Sequence, residues 1–290
     1  MKSICLAVTC LVITSVAVAD TINVPAGGDI QAAINGASDG DIIQLEAGEY
    51  LPVATIDTHG KAVTLRGVPG KGKDDAPTTV IDGQYWIRVL QCTTDEGAGT
   101  VFENLVITGG FSIGKSLVDG GGGMFNKSSS PTLINCTFTG NLAYAYGGGG
   151  MYNYSSNPTL IGCTFTENST INYGGGMLNY NNSSPTLTDC TFTNNSSDRA
   201  GGGMYNYTSS SPTLINCTFT GNLPDTISGD FTTVSEACVP GDFDGDGDVD
   251  ADDHTAMGAA LGICPGDTNG DGVVNIEDLL NMMGSWGACP

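Results

Sequence analysis

The sequence predicts a mainly-β chain, a parallel β-helix of stacked coils followed by a small, largely helical module. Three observations carry this. A block of about 27 residues recurs four times between Gly121 and Asn222. Glycine accounts for 43 of 290 residues, about twice the usual ~7%. The last 55 residues, from Glu236 onward, hold 12 acids and no Lys or Arg, a charge asymmetry that marks a separate, cation-attracting unit.

The chain opens with MKSICLAVTCLVITSVAVA. Lys2, an apolar run from Ile4 to Val18 and the small residues Ala17-Val18-Ala19 before Asp20 have the form of a secretory signal peptide over residues 1–19. The expectation is a secreted protein, extracellular or at the cell surface. No later apolar run is long enough to span a bilayer. The net charge of −22 leaves no basic surface for nucleic acid. It also disfavours polyanionic partners unless a metal bridges them.

Residues 20–110 read as early, less regular coils. Asp29 is placed to cap a short helix with Ile30, Ala33 and Ile34 on one face, ended by Gly36. Such a helix would cover the open edge of the first coil. Alternating strands follow in DIIQL, AVTLRG, TTVIDG and NLVITGG.

The repeat itself reads GGGMFN-KSSSPTLINCTFTGN, then GGGMYN-YSSNPTLIGCTFTEN, GGGMLN-YNNSSPTLTDCTFTNN and GGGMYN-YTSSSPTLINCTFTGN. Pro131, Pro158, Pro185 and Pro212 keep a period of 27, as do Phe138, Phe165, Phe192 and Phe219. The slack lies between Met and Pro, 7 residues in two copies and 8 in two, which marks a surface turn. Gly triplets, Pro and polar runs break any 3.6-residue pattern. Short strands such as TLI and CTFT remain, two or three per repeat. Cys and Phe, two apart, share one face. In-register coils then stack Cys136, Cys163, Cys190 and Cys217 into an inward ladder of reduced thiols, with Phe beside it. Asn141, Asn168, Asn195 and Asn222 form an amide ladder at a turn. The glycines serve tight turns and close backbone approach. About seven or eight coils are expected, and the β-helix spans 20–235.

On these residues the chain resembles the right-handed, pectate-lyase-like β-helix superfamily. DIQAAINGASDGDIIQLEAGEY is similar to its N-terminal cap and first coil. FTGN, FTEN, FTNN and FTGN with GGGM resemble the repeats of chlamydial polymorphic outer-membrane proteins, departing from their GGAI. The superfamily includes polysaccharide hydrolases and lyases. No catalytic constellation is legible here, and scattered residues in 57–119 are the remaining source of one. His59 reads as a turn residue, and Asp189 as a variant of the turn residues Asn135 and Asn216.

Two outward columns follow each repeat Met if Met faces inward. They are Phe125, Tyr152, Leu178 and Tyr205, then Lys127, Tyr154, Tyr180 and Tyr207. Tyr152, Tyr154, Tyr180, Tyr205 and Tyr207 are therefore candidates for a glycan platform, because flat aromatics stack on sugar faces. The alternative packs these rings over turns, or inward with Met outside.

The tail carries two 12-residue loops, DFDGDGDVDADD and DTNGDGVVNIED. Oxygen ligands at odd spacing curl around one Ca²⁺, and the central Gly permits the turn. The first loop offers Asp242, Asp244, Asp246, Asp248 through its carbonyl, Asp250 and Asp253. The second offers Asp267, Asn269, Asp271, Val273 through its carbonyl, Asn275 and Asp278. Two Ca²⁺ ions are expected. Helices are expected over roughly 251–261 and 276–286. Residues 236–290 thus resemble an EF-hand-like, type I dockerin module, which implies a cohesin-like or cell-surface protein as partner. Positions 10 and 11 are Ala251-Asp252 and Ile276-Glu277, a departure from the usual Ser/Thr-like pair. Cys238, Cys264 and Cys289 flank this module, and Cys238 with Cys289 is the expected disulfide. Two functions stay open: a non-catalytic surface or glycan-binding protein, and a polysaccharide hydrolase or lyase.

Overall fold

The computed structural model describes residues 19–234, except 72–75, 115, 117–118 and 145. Within them the chain winds into a parallel β-helix with four sheets along its axis, here sheet 1 of nine strands, sheets 2 and 3 of seven each and sheet 4 of four. A regular coil visits sheet 3 at Met124–Lys127, sheet 1 at Thr132–Ile134, sheet 2 at Thr137–Thr139 and sheet 4 at Leu142–Ala143. The next coil re-enters sheet 3 at Met151–Tyr154. Equivalent residues stand in register: Met124 pairs with Met151, Leu133 with Leu160 and Phe138 with Phe165. The expectation of two or three strands per repeat falls short by the fourth. Its two-residue strands, such as Ser169–Thr170 and Ser196–Ser197, are too short and too polar to leave a pattern.

The interior is built of ladders. Phe138, Phe165, Phe192 and Phe219 stack with centroids 4.8, 4.6 and 4.7 Å apart. Cys136, Cys163 and Cys190 are fully buried beside them, Cys217 is partly exposed, and all four are free thiols. Each thiol donates to a carbonyl of the preceding coil: Phe102, Leu133, Leu160 and Leu187. Burial pushes the Cys163 thiol well above its ordinary value, so thiolate is scarce at neutral pH.

The amide ladder also forms. Asn141 Nδ2 donates to Asn168 Oδ1 at 2.9 Å, Asn168 to Asn195 at 3.0 Å and Asn195 to Asn222 at 2.9 Å. Each Nδ2 also reaches a backbone carbonyl one coil earlier; the Oδ1 of Asn168, Asn195 and Asn222 takes the backbone N–H of the previous Asn, and that of Asn141 takes Gly110 N–H. All four valences of the two central amides, Asn168 and Asn195, are thereby used, which is what burial of such a group requires. Two further ladders have no counterpart in the sequence reading. Asn126, Asn153, Asn179 and Asn206 link side chain to side chain. Ser156, Ser183 and Ser210 each accept the backbone N–H of the Ser one coil earlier.

The glycine triplet meets a separate need at each position. Gly121, Gly148, Gly174 and Gly201 have φ of 73°, 68°, 68° and 67°, a left-handed backbone that side chains resist. A Cβ on the second glycine would meet the carbonyl of the next coil, as Gly122 would meet Gly149 O at 2.7 Å. A Cβ on the third would strike the Phe ladder, as Gly150 would meet the Phe165 ring at 2.9 Å. The slack between Met and Pro is a turn, as expected. The 7-residue copies use one left-handed residue there, Ser128 or Ser155, and the 8-residue copies use two, Asn181-Asn182 or Thr208-Ser209.

At the N-terminal end α1, Ile30–Gly36, is capped by the Asp29 carboxylate, which accepts from Ala32 N. Ile30 and Ile34 are buried against the first coil. Lys61 Nζ donates to the carbonyls of Ile34, Asn35 and Ala37 at 2.7–2.8 Å, a cation placed where the helix exposes its last carbonyls. Among the described residues α1 is the one α-helix, and no helix is long and apolar enough to cross a membrane.

Candidate functional site

The exterior of sheet 3 gathers the most distinctive side chains. In its strands MFNK, MYNY, MLNY and MYNY, Met124, Met151, Met177 and Met204 are fully buried and the Asn ladder points inward beside them. The intervening residues point outward, as the parity argument requires.

The two outward columns have different fates. Phe125, Tyr152 and Leu178 are buried in a second hydrophobic cluster, apart from the main core, with Tyr154, Tyr173, Tyr180 and Tyr205 packed against it. Chain preceding each glycine triplet forms the lateral cover: Gly147 bridges to Tyr173 and Tyr173 to Ala200, while Tyr173 stacks on Tyr205 at 4.6 Å. Tyr152 has no exposed ring, its hydroxyl has no hydrogen-bond partner among the described residues, and burial raises its phenol pKa. An outward direction along the strand is thus not solvent exposure.

The second column is open. Tyr154, Tyr180 and Tyr207 lie 5.7 and 5.6 Å apart with 27° between ring planes. Tyr207, 54% exposed, also contacts Tyr205 at 6.0 Å. Tyr173, Tyr205, Tyr207, Tyr180 and Tyr154 therefore form one unbroken strip of ring contacts. Arg199 closes it, with its guanidinium 5.5 Å over Tyr173 and Nη1 3.3 Å from the Tyr173 hydroxyl. Of the five predicted tyrosines the strip keeps four, and it adds Tyr173 from the adjoining loop.

Toward the N-terminal end the same exterior turns polar. Asp57, Gln91 and Phe125 are register partners across three strands. Gln91 Nε2 donates to Asp57 Oδ2 at 2.7 Å, and the His59 backbone N–H donates to Asp57 Oδ1 at 2.7 Å. His59 sits at φ 53°, in the turn expected of it. Arg88 donates to Gln91 Oε1 and to the carbonyls of Gly120 and Gly121, and stands 4.7 Å over the Phe125 ring. Burial pulls its guanidinium down to about 10, opposed by the nearby Asp119. This acid–amide–guanidinium row went unread because its members come from coils that share no repeat.

Glu96 is the most deeply buried carboxylate of this end. It accepts from Thr58 Oγ1, Gly60 N, Thr94 N and Ser129 Oγ at 2.7–2.9 Å. Burial pushes its pKa up, and these donors outweigh that and hold it below the ordinary carboxylate value. Four donors leave it little capacity for a ligand. Asp189 occupies a left-handed turn with Asn135 and Asn216, at φ 54°, 50° and 51°, as expected. Among the described residues no group of three or more His, Cys, Asp or Glu is placed to hold a metal. The calcium-loop residues 242–278, Cys238, Cys264, Cys289 and the leader lie outside the described residues.

Comparison with known proteins gives one family. A family model described as the right handed beta helix region matches residues 79–235, just over half of the chain. No curated protein matches it significantly. Among solved structures, the pectin methylesterase from Aspergillus niger aligns at 12% identity over 77% of this chain and 87% of that one, with a TM-score of 0.37. With the family match lying over the in-register coils described above, the chain belongs to the right-handed β-helix family.

Proposed function

We propose that this is a non-catalytic, secreted protein that binds a neutral polysaccharide along the tyrosine strip of sheet 3. In this reading residues 1–19 direct export and 236–290 form a dockerin-like tail. The tail binds two Ca²⁺ and docks onto a cohesin-like or cell-surface protein. The observation that carries the binding is the unbroken contact of five tyrosines on one exterior face. Tyr207 offers an open ring for stacking on a pyranose, and the phenols of Tyr180 and Tyr154 supply hydroxyls for the sugars that follow. Rings already held by their neighbours lose little side-chain freedom on binding.

The test is depletion of the full chain from solution by a panel of insoluble neutral and acidic polysaccharides. Tyr207→Ala and Tyr154→Ala should each weaken binding to a neutral member about tenfold, equivalent to ~1.4 kcal/mol. Binding equal to that of the unaltered protein would reject the strip as the site. Calorimetry with Ca²⁺ tests the tail separately, with two ions expected per chain.

A polysaccharide hydrolase or lyase is the second reading, favoured by one observation. Asp57, Gln91 and Arg88 form a hydrogen-bonded row on the same exterior as the tyrosines. Release of soluble products from the same panel, lost in Asp57→Asn, would establish it.

A further inference from the structure

A different face carries a second regularity. The four sheet 2 strands of the repeat all read Thr-Phe-Thr: 137–139, 164–166, 191–193 and 218–220. Phe points inward, so both threonines point out. They pair coil to coil in register, Thr137 with Thr164, Thr191 and Thr218, and Thr139 with Thr166, Thr193 and Thr220. Thr108 extends the second file by one coil, and Val106 occupies the matching place in the first. Nine threonines thus form a two-file grid with no charged residue among them.

The grid is regular. The Phe rings beneath it stack in parallel to within 3°, 4° and 8°. The Phe spacing sets the step along the axis at 4.6–4.8 Å. The step across each strand, two residues, is about 6.6 Å. β-Branched Thr is also stiff at χ1, so each hydroxyl and methyl is held in place. Thr218 donates to Thr191 at 3.1 Å, at the C-terminal end of the grid. The hydroxyls of Thr137, Thr139, Thr164, Thr166, Thr193 and Thr220 make no hydrogen bond to the described residues.

We propose that the exterior of sheet 2 is an ice-binding face. An uncharged grid of hydroxyls alternating with methyls repeats every 4.6–4.8 Å along the axis, close to the oxygen repeat along one direction of the prism faces of hexagonal ice. Hydroxyls take lattice positions, methyls sit in the gaps between them, and many weak contacts in register act together. Glu167 and Asp189 flank the grid at the turns on its two sides, where they stay hydrated and mark its edges. This face is separate from the tyrosine strip, and the inference stands without the polysaccharide reading.

The experiment uses the full chain with Ca²⁺ present. Partition into a slowly growing ice hemisphere and the gap between melting and freezing points are both measured. The unaltered protein should enter the ice and open a measurable gap. Thr166→Lys and Thr193→Lys, whose solvent-facing positions leave the core untouched, should each reduce the gap at least fivefold with the circular dichroism spectrum unchanged. Exclusion of the unaltered protein from ice to the same degree as an unrelated protein of equal size would overturn the proposal. So would Thr166→Lys leaving the gap intact. Loss of polysaccharide binding in Thr166→Lys with no effect on ice would reassign the face to a solid glycan.

Discussion

In the coils from 121 to 222, Asn168 is answered by Asn141 and Asn195, Ser156 by Ser129 and Ser183, and Phe165 by Phe138 and Phe192. In the coils from 20 to 110 the partners differ at every site. Lys61 closes a helix, Arg66 Nε pairs with Glu103 at 2.6 Å, Glu96 gathers four donors and Asp41 accepts from Ser38 N and Asp20 N. A repeated coil needs one solution, copied. An irregular coil needs a separate solution for each buried group. The singular groups of the molecule, Asp57, Arg88 and Glu96, accordingly lie in the irregular part, and the extended surfaces lie in the regular part.

The comparison breaks most sharply at a central rung. Asn168→Ala removes four side-chain hydrogen bonds and orphans buried partners in both neighbouring coils. At ~1–3 kcal/mol for each group left unsatisfied, the expected cost is about 4 kcal/mol. Asn222, the last rung, has three such bonds, and Asn222→Ala should cost about 2 kcal/mol. Urea midpoints of the two variants decide it. Equal losses would mean that the ladder is not acting coil to coil.

Next comes Glu96, the counterpart in the irregular coils. Glu96→Ala should cost about 3 kcal/mol, through the stranded donors of Thr58, Gly60, Thr94 and Ser129. Because its folded pKa is depressed, its contribution is complete above the ordinary value of 4.5 and is lost as pH falls below it. The unaltered protein should therefore lose stability below pH 4.5 more steeply than Glu96→Gln, in unfolding series run at successive pH values. The smallest effect sharpens the contrast from the other side. One extra Gly after Asn182 lengthens an exposed turn that already varies in length, and should change stability by less than about 0.6 kcal/mol. A loss of several kcal/mol would show that the turn sets the register.

Much of this fold was legible because the repeat makes each residue predict its neighbour. The Cys, Phe and Asn141-type ladders, the cap at Asp29, the turn at His59 and the slack before Pro follow from spacing and parity. The limits are equally physical. Parity assigns Tyr152 to the outside of its strand, and cannot tell that chain before the next glycine triplet lies beside it. Asn126 and its equivalents recur two after Met in every copy, but spacing does not tell that inward amides bond side chain to side chain from coil to coil. The Asp57, Gln91 and Arg88 row joins coils of unequal length, so no spacing announces it. Only three-dimensional register aligns Asp57 with Gln91.

Both asparagine ladders run in one sense. Asn141 donates to Asn168, that to Asn195, and that to Asn222; Asn126, Asn153, Asn179 and Asn206 follow the same direction. Amides aligned head to tail polarise one another, and their dipoles add along the axis with the positive pole toward the C-terminal end. The first rung shows the other pole: Asn126 Oδ1, buried, has no donor among the described residues. The solenoid is thus electrically polar along its length, independently of its charged residues. Its positive pole is the end from which the chain continues into its most acidic stretch, twelve acids in 55 residues.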